Sequence, residues 1–445
     1  MRLRHPGGAT VHLGYCTNVH PAEDLAGIVA QLDRYAVPVR ETLGADPLGL
    51  GLWLAAPVAA ELAADPAARR RLRTELTVRG LEVVTLNGFP YAAFQAPVVK
   101  RAVYRPDWTT DDRLGYTLDL ARVLADLLPD DAARGSVSTL PLAWRAPWDR
   151  SHAEAARRRL DQLASGLAAV ERETGRPVRV GFEPEPGCVV ESTPQAVAAL
   201  SGMDTDRLGI CLDLAHLACA WEEPAAALAR LAGAGLPVVK VQVSAALEAT
   251  DPAGDAAALR RWVEPRFLHQ TRTAGCATAT GSASTAATDA RPAAGNGAAP
   301  TAGPGLADPA DPGWAADDLD VALDAALPGP WRVHYHVPLH APPEPPLGST
   351  LPVLRAALAA LFSGPAAGCD HLDVETYTWG VLPVARRPRT DAELAAGIAA
   401  ELAFTRDELV ALGLTPQSPS EVVAVSARSE PVLRAPQSRT RGIRA

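Results

Sequence analysis

Polar side chains that can bind a cation or move a proton stand directly after short apolar runs of the sequence. Glu183 and Glu185 follow one run, Asp213 and His216 close another, and Glu375 ends a third. Carboxylates and imidazoles in such places are costly to remove from water unless they are paired or bound to a cation. Further polar residues at predicted strand ends are Thr17, Asn18, His20, Asn87, Gln242, Ser244, His334 and His336. Oxygen and nitrogen donors that meet at one point form a site for a divalent ion such as Mn²⁺, Mg²⁺ or Co²⁺. They do not form a thiolate zinc site, which needs cysteine ligands.

The carboxylates also have plainer structural interpretations. In the segment Glu183-Pro-Glu-Pro-Gly, two prolines make it doubtful that the strand continues. Glu183 is therefore the better inward-facing candidate, and Glu185 is either a second one or a turn residue. Asp213, with His216 three residues later, is either a metal ligand or the N-cap of a helix.

The histidine pair and the last glutamate leave similar alternatives open. His334 and His336 share one face of a strand, where they are either ligands or a hydrogen-bonded core pair. Glu375 is either inward-facing or a surface strand residue, because the alternation around it does not decide its face. An acid or an imidazole stands at each of several predicted strand ends. This repeated occurrence favours the functional interpretation over the structural one.

These residues belong to a repeating order of strand and helix. Nine short apolar or β-branched runs lie at residues 12–16, 48–54, 81–86, 136–140, 178–182, 208–212, 238–243, 331–337 and 371–376. Segments with helical spacing lie between them, for instance at 22–34, 57–79, 111–128, 151–174 and 223–231. This alternation is typical of a parallel sheet. A closed (β/α)8 barrel needs eight strands, so one run is misread or lies outside the barrel.

An open doubly wound sheet is the rival architecture. It is disfavoured because no GxGxxG or GxxxxGK[ST] motif follows the early strands. We therefore predict an α/β chain whose single TIM (β/α)8-type barrel spans residues 1–413. In such a barrel the catalytic groups lie where the strands end, at the C-terminal face.

Composition excludes several classes of protein. The chain has 445 residues and a formal net charge of −9. Its only lysines are Lys100 and Lys240, against forty arginines, a bias without the basic face of a nucleic-acid binder. No stretch of 18 residues is free of charge and proline, so we expect no membrane span. The first residues lack the apolar core of a secretory signal, and six cysteines without a CxxC pair indicate a reduced protein, so we expect the cytoplasm.

Two segments depart from the repeating order. Residues 272–309 are nearly all Ala, Thr, Gly, Ser and Pro, which predicts a disordered insertion within the barrel. Residues 414–445 carry several arginines against two acids, Glu421 and Glu430, which predicts a flexible Arg-rich tail or, alternatively, an arm that binds a polyanion.

A long segment after the third predicted strand mixes aromatic residues with cations. Residues 89–110 include Tyr91, Lys100, Arg101, Tyr104 and Arg105. On a barrel this segment would overhang the mouth, either as a lid for a sugar face and an anionic group or as an Ω-loop that packs its own aromatics.

Taken together, these segments resemble the xylose-isomerase-like TIM-barrel superfamily of sugar-phosphate isomerases and epimerases. Within it, they are most similar to the branch of EboE-type metabolite traffic proteins. The matching segments, interrupted by the low-complexity insertion, are GYCTNVHP (14–21), TLNGFPY (85–91), VYRPDWTT (103–110), FEPEPGC (182–188), CLDLAH (211–216), KVQVS (240–244), HYHVP (334–338) and VETYTW (374–379).

The resemblance implies one divalent metal ion, of Mn, Mg, Co or Zn type, held by a Glu, an Asp, a His and a final Glu. By position, Glu183, Asp213 and Glu375 match, and the two glutamates would also transfer protons. The metal-binding His of the superfamily falls on Gln242, whose carbonyl oxygen is a weaker, neutral ligand. Either His336 replaces that ligand or the site is altered or empty.

The predicted substrate contacts are His216, Asn87, Tyr91, Arg105 and His20, of which His216 follows from the resemblance. The implied function is a metal-dependent isomerase or epimerase of a small sugar or polyol-type metabolite, in which one glutamate removes a proton and its partner returns it. A non-catalytic binding or carrier protein on the same barrel is the alternative. Proteins encoded in the same gene cluster are possible partners, whereas nucleic acid is not expected.

Overall fold

The computed structural model describes residues 1–274 and 315–417. Its strands within these ranges are β1 (Arg2–Arg4), β2 (Thr10–Cys16), β3 (Leu48–Trp53), β4 (Leu81–Asn87), β5 (Gly135–Thr139), β6 (Val178–Phe182), β7 (Leu208–Asp213), β8 (Val238–Val243), β9 (Ala246–Ala249), β10 (Thr271–Thr273), β11 (Ala315–Ala316), β12 (Trp331–His336), β13 (Gly348–Ser349), β14 (His371–Val374) and β15 (Thr415–Pro416).

Eight of these strands form a closed parallel barrel. Its order is β2-β3-β4-β5-β6-β7-β8-β14, and β14 closes the ring by pairing with β2. Leu372 of β14 lies opposite Val241 on one side and Leu13 on the other. The strands are apolar runs because both of their faces are buried, one inside the barrel and one under the helices. The predicted TIM barrel is confirmed.

The barrel interior below the strand ends holds a buried ion pair. Lys240 Nζ lies 3.2 Å from Asp373 Oδ2, and both side chains are inaccessible to solvent. Gly51 makes room for this pair, because a Cβ there would lie 1.6 Å from the same oxygen. The Lys240 ammonium opposes the rise that burial causes in the pKa of Glu183 and Glu375, while the Asp373 carboxylate adds to that rise for Glu375.

The ninth predicted strand lies outside the barrel. β12, which corresponds to residues 331–337 of the sequence, is the middle strand of a sheet with the order β11-β10-β12-β9-β13. The pairings of this sheet are antiparallel, and its strands come from the chain between β8 and β14. The barrel therefore carries a second sheet between its seventh and eighth strands, which we call the inserted sheet.

The helices of the described ranges are α1 (Leu25–Gln31), α2 (Val37–Leu43), α3 (Ala56–Ala64), α4 (Pro66–Val78), α5 (Asp111–Leu127), α6 (Arg150–Thr174), α7 (Thr193–Leu200), α8 (Leu214–Cys219), α9 (Pro224–Gly233), α10 (Ala256–Leu259), α11 (Leu319–Ala325), α12 (Leu351–Phe362) and α13 (Asp391–Ala411). Polar caps start several of them, as where Asp149 accepts a hydrogen bond from the His152 amide at the start of α6. None of these helices combines the length and the apolar character that crossing a membrane requires.

The first predicted helix extends beyond its expected end. A π-type turn at Leu32–Ala36 joins α1 to α2, so helical structure continues to Leu43 instead of ending near residue 34. Pro38 suggests a break in the sequence, but it directly follows the π-type turn, where the regular i to i−4 hydrogen bonding is already interrupted.

Both predicted disordered segments start too early by a few residues. Arg272 and Thr273 belong to β10, and the buried Arg272 guanidinium pairs with Glu191, its Nη2 lying 2.9 Å from Glu191 Oε2. Leu414 is buried, and β15 pairs with β1. Contacts with residues distant in sequence order both positions: Glu191 pairs with Arg272, and β1 pairs with β15. Most of the predicted insertion, residues 275–309, and of the predicted tail, residues 418–445, lie outside the described residues.

Candidate active site

The carboxyl ends of the barrel strands and one end of the inserted sheet meet at a small cavity of about 50 Å³. Its polar lining residues include Asn18, Asn87, Lys100, Tyr104, Glu183, Glu185, His216, His334, His336, Glu375 and Tyr377. Its apolar lining includes Phe89, Phe94, Val99, Val103, Phe267 and Leu268.

Two barrel carboxylates are positioned by the strands that precede them. The Glu183 amide donates to the Thr139 carbonyl at 3.0 Å, and the Glu375 amide donates to the Val243 carbonyl at 3.2 Å. Each bond extends the pairing of a barrel strand by one residue beyond its end. The backbone therefore directs both side chains to the cavity, and the inward interpretation of Glu375 agrees with its place in the lining.

Burial makes these two glutamates weaker acids than usual. Burial, together with the charges of Glu375 and Asp213, raises the pKa of Glu183 well above its usual range. Burial and the charge of Asp213 raise the pKa of Glu375 to about 8. The Asn18 amide opposes this rise by donating to Glu375 Oε1 at 2.7 Å, and Asn87 donates to the same oxygen at 3.0 Å. An acid with a pKa of about 8, such as Glu375, can give and take protons near neutral pH.

Asp213 is an N-cap, as one of its two interpretations predicted. Its Oδ1 accepts from the His216 amide at 2.9 Å, where α8 begins, and from the Ser244 hydroxyl at 2.8 Å. Its Oδ2 has no hydrogen-bond partner among the described residues. The cap thus occupies one oxygen and leaves the other for a ligand, so the metal-ligand interpretation stays a prediction.

Three imidazoles stand opposite the carboxylates. His336 Nε2 lies 3.7 Å from Asp213 Oδ2, and its Nδ1 lies 2.6 Å from the backbone oxygen of Glu375. The Nε2 atoms of His216 and His334 are 2.8 Å apart. Burial lowers the pKa of His216 to about 4, and burial with the neighbouring histidines lowers the pKa of His334 well below its usual range. These two rings are therefore neutral.

Glu185 lines the cavity and also begins a turn, because the Cys188 amide donates to the Glu185 carbonyl at 3.1 Å. Its Oε1 accepts from the Tyr104 hydroxyl at 2.6 Å, and it is 5% exposed. Burial raises its pKa to about 8 although the Tyr104 bond acts in the opposite direction. The site thus holds a third glutamate whose acidity is weakened by burial.

Gln242 points into the barrel, but its carbonyl is engaged. Its Oε1 accepts from the Cys211 thiol at 2.9 Å, while its Nε2 finds no hydrogen-bond partner in the described part of the chain. Gln242 is also absent from the residues that line the cavity. The predicted ligand role of this residue stays a prediction.

Three of the predicted substrate contacts lie away from the cavity lining. The Arg105 side chain is 66% exposed and pairs with Asp107 at 3.5 Å. Tyr91 packs edge-on against Tyr116, and the buried His20 stacks on Tyr35. The other two predicted contacts, His216 and Asn87, do line the cavity.

Two residues of the site, Tyr377 and Gln270, are not among those that the sequence predicted to have a role. Tyr377 lines the cavity from the 3-10 turn after Glu375, and its hydroxyl lies 3.4 Å from His334 Nε2. Gln270 joins Tyr104 to His334, with its Nε2 on the Tyr104 hydroxyl and its Oε1 on His334 Nδ1, both at 2.8 Å. The segment His334-Tyr335-His336 indicated the strand that Gln270 contacts, but no pattern in the sequence indicated Gln270 itself.

The residues at the strand ends fit a divalent cation. Glu183 Oε2, Asp213 Oδ2 and His336 Nε2 are buried acceptor atoms that lack a donor among the described residues. Two groups of three side chains bring ligand atoms within 4.8 Å of one another. The first group is Asp213, His336 and Glu375, and the second is Glu183, Asp213 and His216. Buried acceptors that face one another repel, and a cation removes the repulsion.

Comparison with known proteins points to one family. The sequence profile of the xylose isomerase-like TIM barrel matches residues 42–265. No curated protein matches the sequence.

Solved structures with similar folds include an L-ribulose 3-epimerase, 12% identical over 95% of this chain and 100% of that one, with a TM-score of 0.45. A Mycobacterium smegmatis xylose isomerase-like TIM barrel protein in complex with magnesium is 14% identical over 90% and 98%, with a TM-score of 0.47. An IOLI protein with a bound zinc atom is 13% identical over 52% and 73%, with a TM-score of 0.34.

Proposed function

This chain belongs to the xylose isomerase-like TIM barrel family, and from that premise we propose that it is a divalent-cation-dependent isomerase or epimerase of a small sugar or polyol-type metabolite. Glu183 and Glu375 are the proposed proton-transfer residues. Glu183, Asp213, His336 and Glu375 are the proposed ligands of the ion.

One observation carries the proposal. Acceptor atoms of Glu183, Asp213 and His336 face the strand-end region without a donor in the described ranges, although their side chains are at most about 4% exposed. Burial without compensation costs several kcal/mol per ionised group, so the arrangement is stable only with protons or a cation. A bound divalent ion would polarise the oxygens of a substrate and acidify the C–H bond beside its carbonyl.

The two glutamates can reach different sides of a ligand. Glu183 follows β6 and Glu375 follows β14, and β7 and β8 lie between these strands in the ring. One raised-pKa carboxyl group can therefore remove a proton at one carbon or face while the other returns it elsewhere. Asn18 and Asn87 hold Glu375 Oε1, which fixes the direction from which this carboxyl group acts.

The lining favours an uncharged substrate with hydroxyl groups. Among the described residues of the lining, Lys100 is the one permanent cation, and its amine is held by Asp318 at 2.5 Å. Arg101 pairs with Asp317, so the cations of the predicted lid are neutralised by protein acids. Amide, carboxyl and imidazole groups can bind hydroxyls, while Phe94 and Phe267, whose ring centroids are 5.2 Å apart, offer an apolar face for C–H groups.

A binding protein without turnover is the second candidate, and Gln242 is the observation that favours it. The resemblance places the metal-binding histidine of the superfamily at this position. The Gln242 carbonyl accepts the Cys211 thiol proton instead of being free for an ion. A weakened ion site could retain a sugar pocket and lose the chemistry.

Solvent deuterium exchange separates the two candidates. Protein loaded with Mn²⁺ is incubated in D₂O with a panel of ketoses and aldoses, and loss of substrate C–H signals is followed by proton NMR. We expect exchange by the wild type and at least about 100-fold slower exchange by Glu183→Gln and Glu375→Gln. Glu248→Gln is the matched control, because Glu248 pairs with Arg332 and does not line the cavity.

The outcomes are distinct. Exchange that disappears in both site variants and persists in the control supports an isomerase or epimerase. Binding of Mn²⁺ and sugar without exchange supports the binding protein. Exchange that survives both substitutions would contradict the assignment of the two glutamates.

The narrower assignment to the EboE-type metabolite traffic branch rests on the sequence segments that resemble it. It implies a biosynthetic gene-cluster context, and partners encoded there. The five cysteines in the described ranges are all unpaired and buried, which agrees with the reducing cytoplasm that we propose as the location.

A further inference from the structure

A second concave region lies outside the cavity, where the chain passes from β14 to α13. This groove has a volume of about 700 Å³, against about 50 Å³ for the cavity. It is lined by residues 384–389, by the start of α13 and by two aromatic residues, His340 and Trp379. The groove and the cavity have no lining residue in common. The groove, which we call the arginine groove, is therefore a separate site.

The arginine groove has an excess of positive charge. Its lining contains three arginines and one acid, namely Arg386, Arg387, Arg389 and Glu393. Glu393 already pairs with Arg389, whose Nη2 lies 3.1 Å from Glu393 Oε1. The next acid along the chain, Asp391, pairs with Arg34. Two arginines of the lining thus lack a counter-charge there, although the whole chain has a formal net charge of −9. A local charge of this sign attracts anions.

Main-chain carbonyls hold the two uncompensated guanidinium groups. Arg386 Nη2 donates to the carbonyls of Ala341 and Pro342, to the second at 2.9 Å. Arg387 donates through Nε to the carbonyl of Leu382. Within the described ranges, neither guanidinium group bonds to a carboxylate. A carbonyl oxygen orients a guanidinium group without cancelling its charge, so the remaining N–H groups are held ready for an anion.

The backbone on both sides of these arginines is ordered by local contacts. Val384–Arg386 forms a 3-10 turn. Thr390 caps α13 by accepting from the Glu393 amide at 3.1 Å. Gly397 of α13 packs directly on Trp379, because a Cβ there would lie 2.6 Å from the ring. The arginines therefore extend from a fixed turn between a capped helix and a packed aromatic ring.

His340 adds an uncharged hydrogen-bond donor to the groove. Its ring stacks on Trp379, with the ring centroids 6.0 Å apart. Burial and the charge of Arg386 lower the pKa of His340, so the imidazole is neutral near pH 7 and has one N–H. The effect of Arg386 on this pKa also shows that the two side chains lie in the same part of the groove.

We propose that the arginine groove binds a small oxyanion with more than one negative charge, through Arg386, Arg387 and the N–H of His340. Guanidinium groups bind phosphate and carboxylate oxygens by paired, charge-assisted hydrogen bonds. Two uncompensated guanidinium groups match a ligand with two anionic groups better than a single phosphate. This site does not depend on the proposed reaction, because it uses neither the proton-transfer glutamates nor the proposed ligands of the ion.

Calorimetric titration tests the site. Untagged full-length protein is dialysed free of unbound metal ions, which diphosphate would bind. It is then titrated separately with diphosphate, inorganic phosphate and citrate at low ionic strength, where charges are screened least. We expect one diphosphate per chain, bound at least about tenfold more tightly than phosphate. Tighter binding of citrate than of diphosphate, lost in the variants described next, would also support an oxyanion site and would identify its ligand as a carboxylate.

Substitution of the two arginines locates the binding. The double variant Arg386→Gln/Arg387→Gln should bind diphosphate about 100-fold more weakly than the wild type. Arg386→Lys keeps the charge and loses the paired hydrogen bonds, so its affinity should lie between those of the wild type and Arg386→Gln. Arg158→Gln is the matched control and should bind like the wild type, because Arg158 is an exposed arginine of α6 outside the groove.

Proton NMR of His340 gives a second readout, with the signal assigned by His340→Asn. An anion beside the ring favours the protonated form, so diphosphate should raise the pKa of His340 in the wild type and leave it unchanged in the double variant. The other charged groups of the lining stay ionised in this range, since the Arg389 amide lowers the pKa of Glu393.

Three results would overturn the proposal: no binding of any of the three anions, equal affinity in the wild type and the double variant, or binding to which His340 does not respond. Glu183→Gln distinguishes such a failure from failure of the proposed function. It should lose deuterium exchange and keep the diphosphate affinity of the wild type.

Discussion

The two sides of the cavity come from different parts of the chain and contribute different chemistry. The barrel contributes ionisable carboxyl groups, with Glu183, Asp213 and Glu375 at the ends of β6, β7 and β14. The inserted sheet contributes imidazoles, with His334 and His336 on β12. On the barrel side, parallel pairing fixes the direction of each acid, whereas on the sheet side individual hydrogen bonds to Nδ1 fix each ring.

This difference indicates how a common fold acquires a particular site. The family profile covers residues 42–265 and therefore ends before β12. Acids at strand ends are what a (β/α)8 barrel can present from its own topology. The imidazoles require a separate sheet that places a second set of acceptors against the first, and together they make a site with an excess of lone pairs.

Asp213→Asn should have the largest effect, because Asp213 lies between the two sides. Asparagine keeps an oxygen for the His216 amide and the Ser244 hydroxyl, so the fold should remain. The lost charge should weaken Mn²⁺ binding about 100-fold or more, and deuterium exchange should fall about 10³-fold. Calorimetric titration and NMR measure the two effects. The control Asp130→Asn, at an exposed pair with Arg73, should change neither. Unchanged Mn²⁺ affinity would remove Asp213 from the ion site.

Arg272→Ala should destabilise the contact between the inserted sheet and the barrel. Arg272 lies on β10, while Glu191 lies between β6 and α7, and both are buried. An uncompensated Glu191 carboxylate should cost about 3–5 kcal/mol in the free energy of unfolding, measured with urea. Arg150→Ala, at a pair whose arginine is 93% exposed, should cost less than about 1 kcal/mol. Equal effects of the two substitutions would show that the buried pair does not hold the sheet.

The same comparison explains what the sequence could predict. The barrel strands and Glu183, Asp213 and Glu375 could be located because each apolar run is local and ends in a polar residue. The run at residues 331–337 looks the same as a barrel strand, because β12 is buried too. Only its antiparallel partners β9 and β10 distinguish it, and strand pairing is a long-range property.

Ion pairs between residues distant in sequence could not be predicted either, for the same reason as strand pairing. Arg272 was assigned to a disordered segment because its neighbours are small and polar, whereas Glu191 orders it. Lys100 suggested an anion site until the structure placed Asp318 beside it. Where a local cap marks the start of a helix, the boundary was closer to prediction, as at α6, which follows Asp149.

Glu401→Gln should change how stability depends on pH. Glu401 of α13 accepts from the Leu339 amide at 3.0 Å and from the Thr376 hydroxyl at 2.6 Å, and so joins the segment after β12 to the segment after β14. Burial raises its pKa to about 7. The folded state therefore binds a proton that the unfolded state has released, and the free energy of unfolding falls as pH rises from about 4.5 to above 7.

Glutamine mimics the protonated acid and removes this part of the dependence. The variant should match the wild type near pH 5 and exceed its stability near pH 8 by on the order of 3 kcal/mol, at about 1.4 kcal/mol per pKa unit. Urea unfolding at both pH values measures the difference. Parallel pH profiles of the two proteins would mean that Glu401 is ionised in the folded state.

Arg105→Ala should have the smallest effect, and it tests whether the cavity ends where the structure places it. Tyr104 lines the cavity and donates to Glu185, whereas the next side chain, Arg105, is mostly exposed. Asp107 also accepts from the Thr109 amide at 3.0 Å, so it keeps a partner without Arg105. Loss of an exposed ion pair should change the free energy of unfolding by less than about 1 kcal/mol and leave sugar affinity unchanged. Tyr104→Phe, which removes the Glu185 bond, should weaken sugar binding in the same titration. If Arg105→Ala instead weakened binding of a phosphorylated sugar tenfold, the lid predicted from the sequence would reach the ligand after all, and the substrate would be an anion.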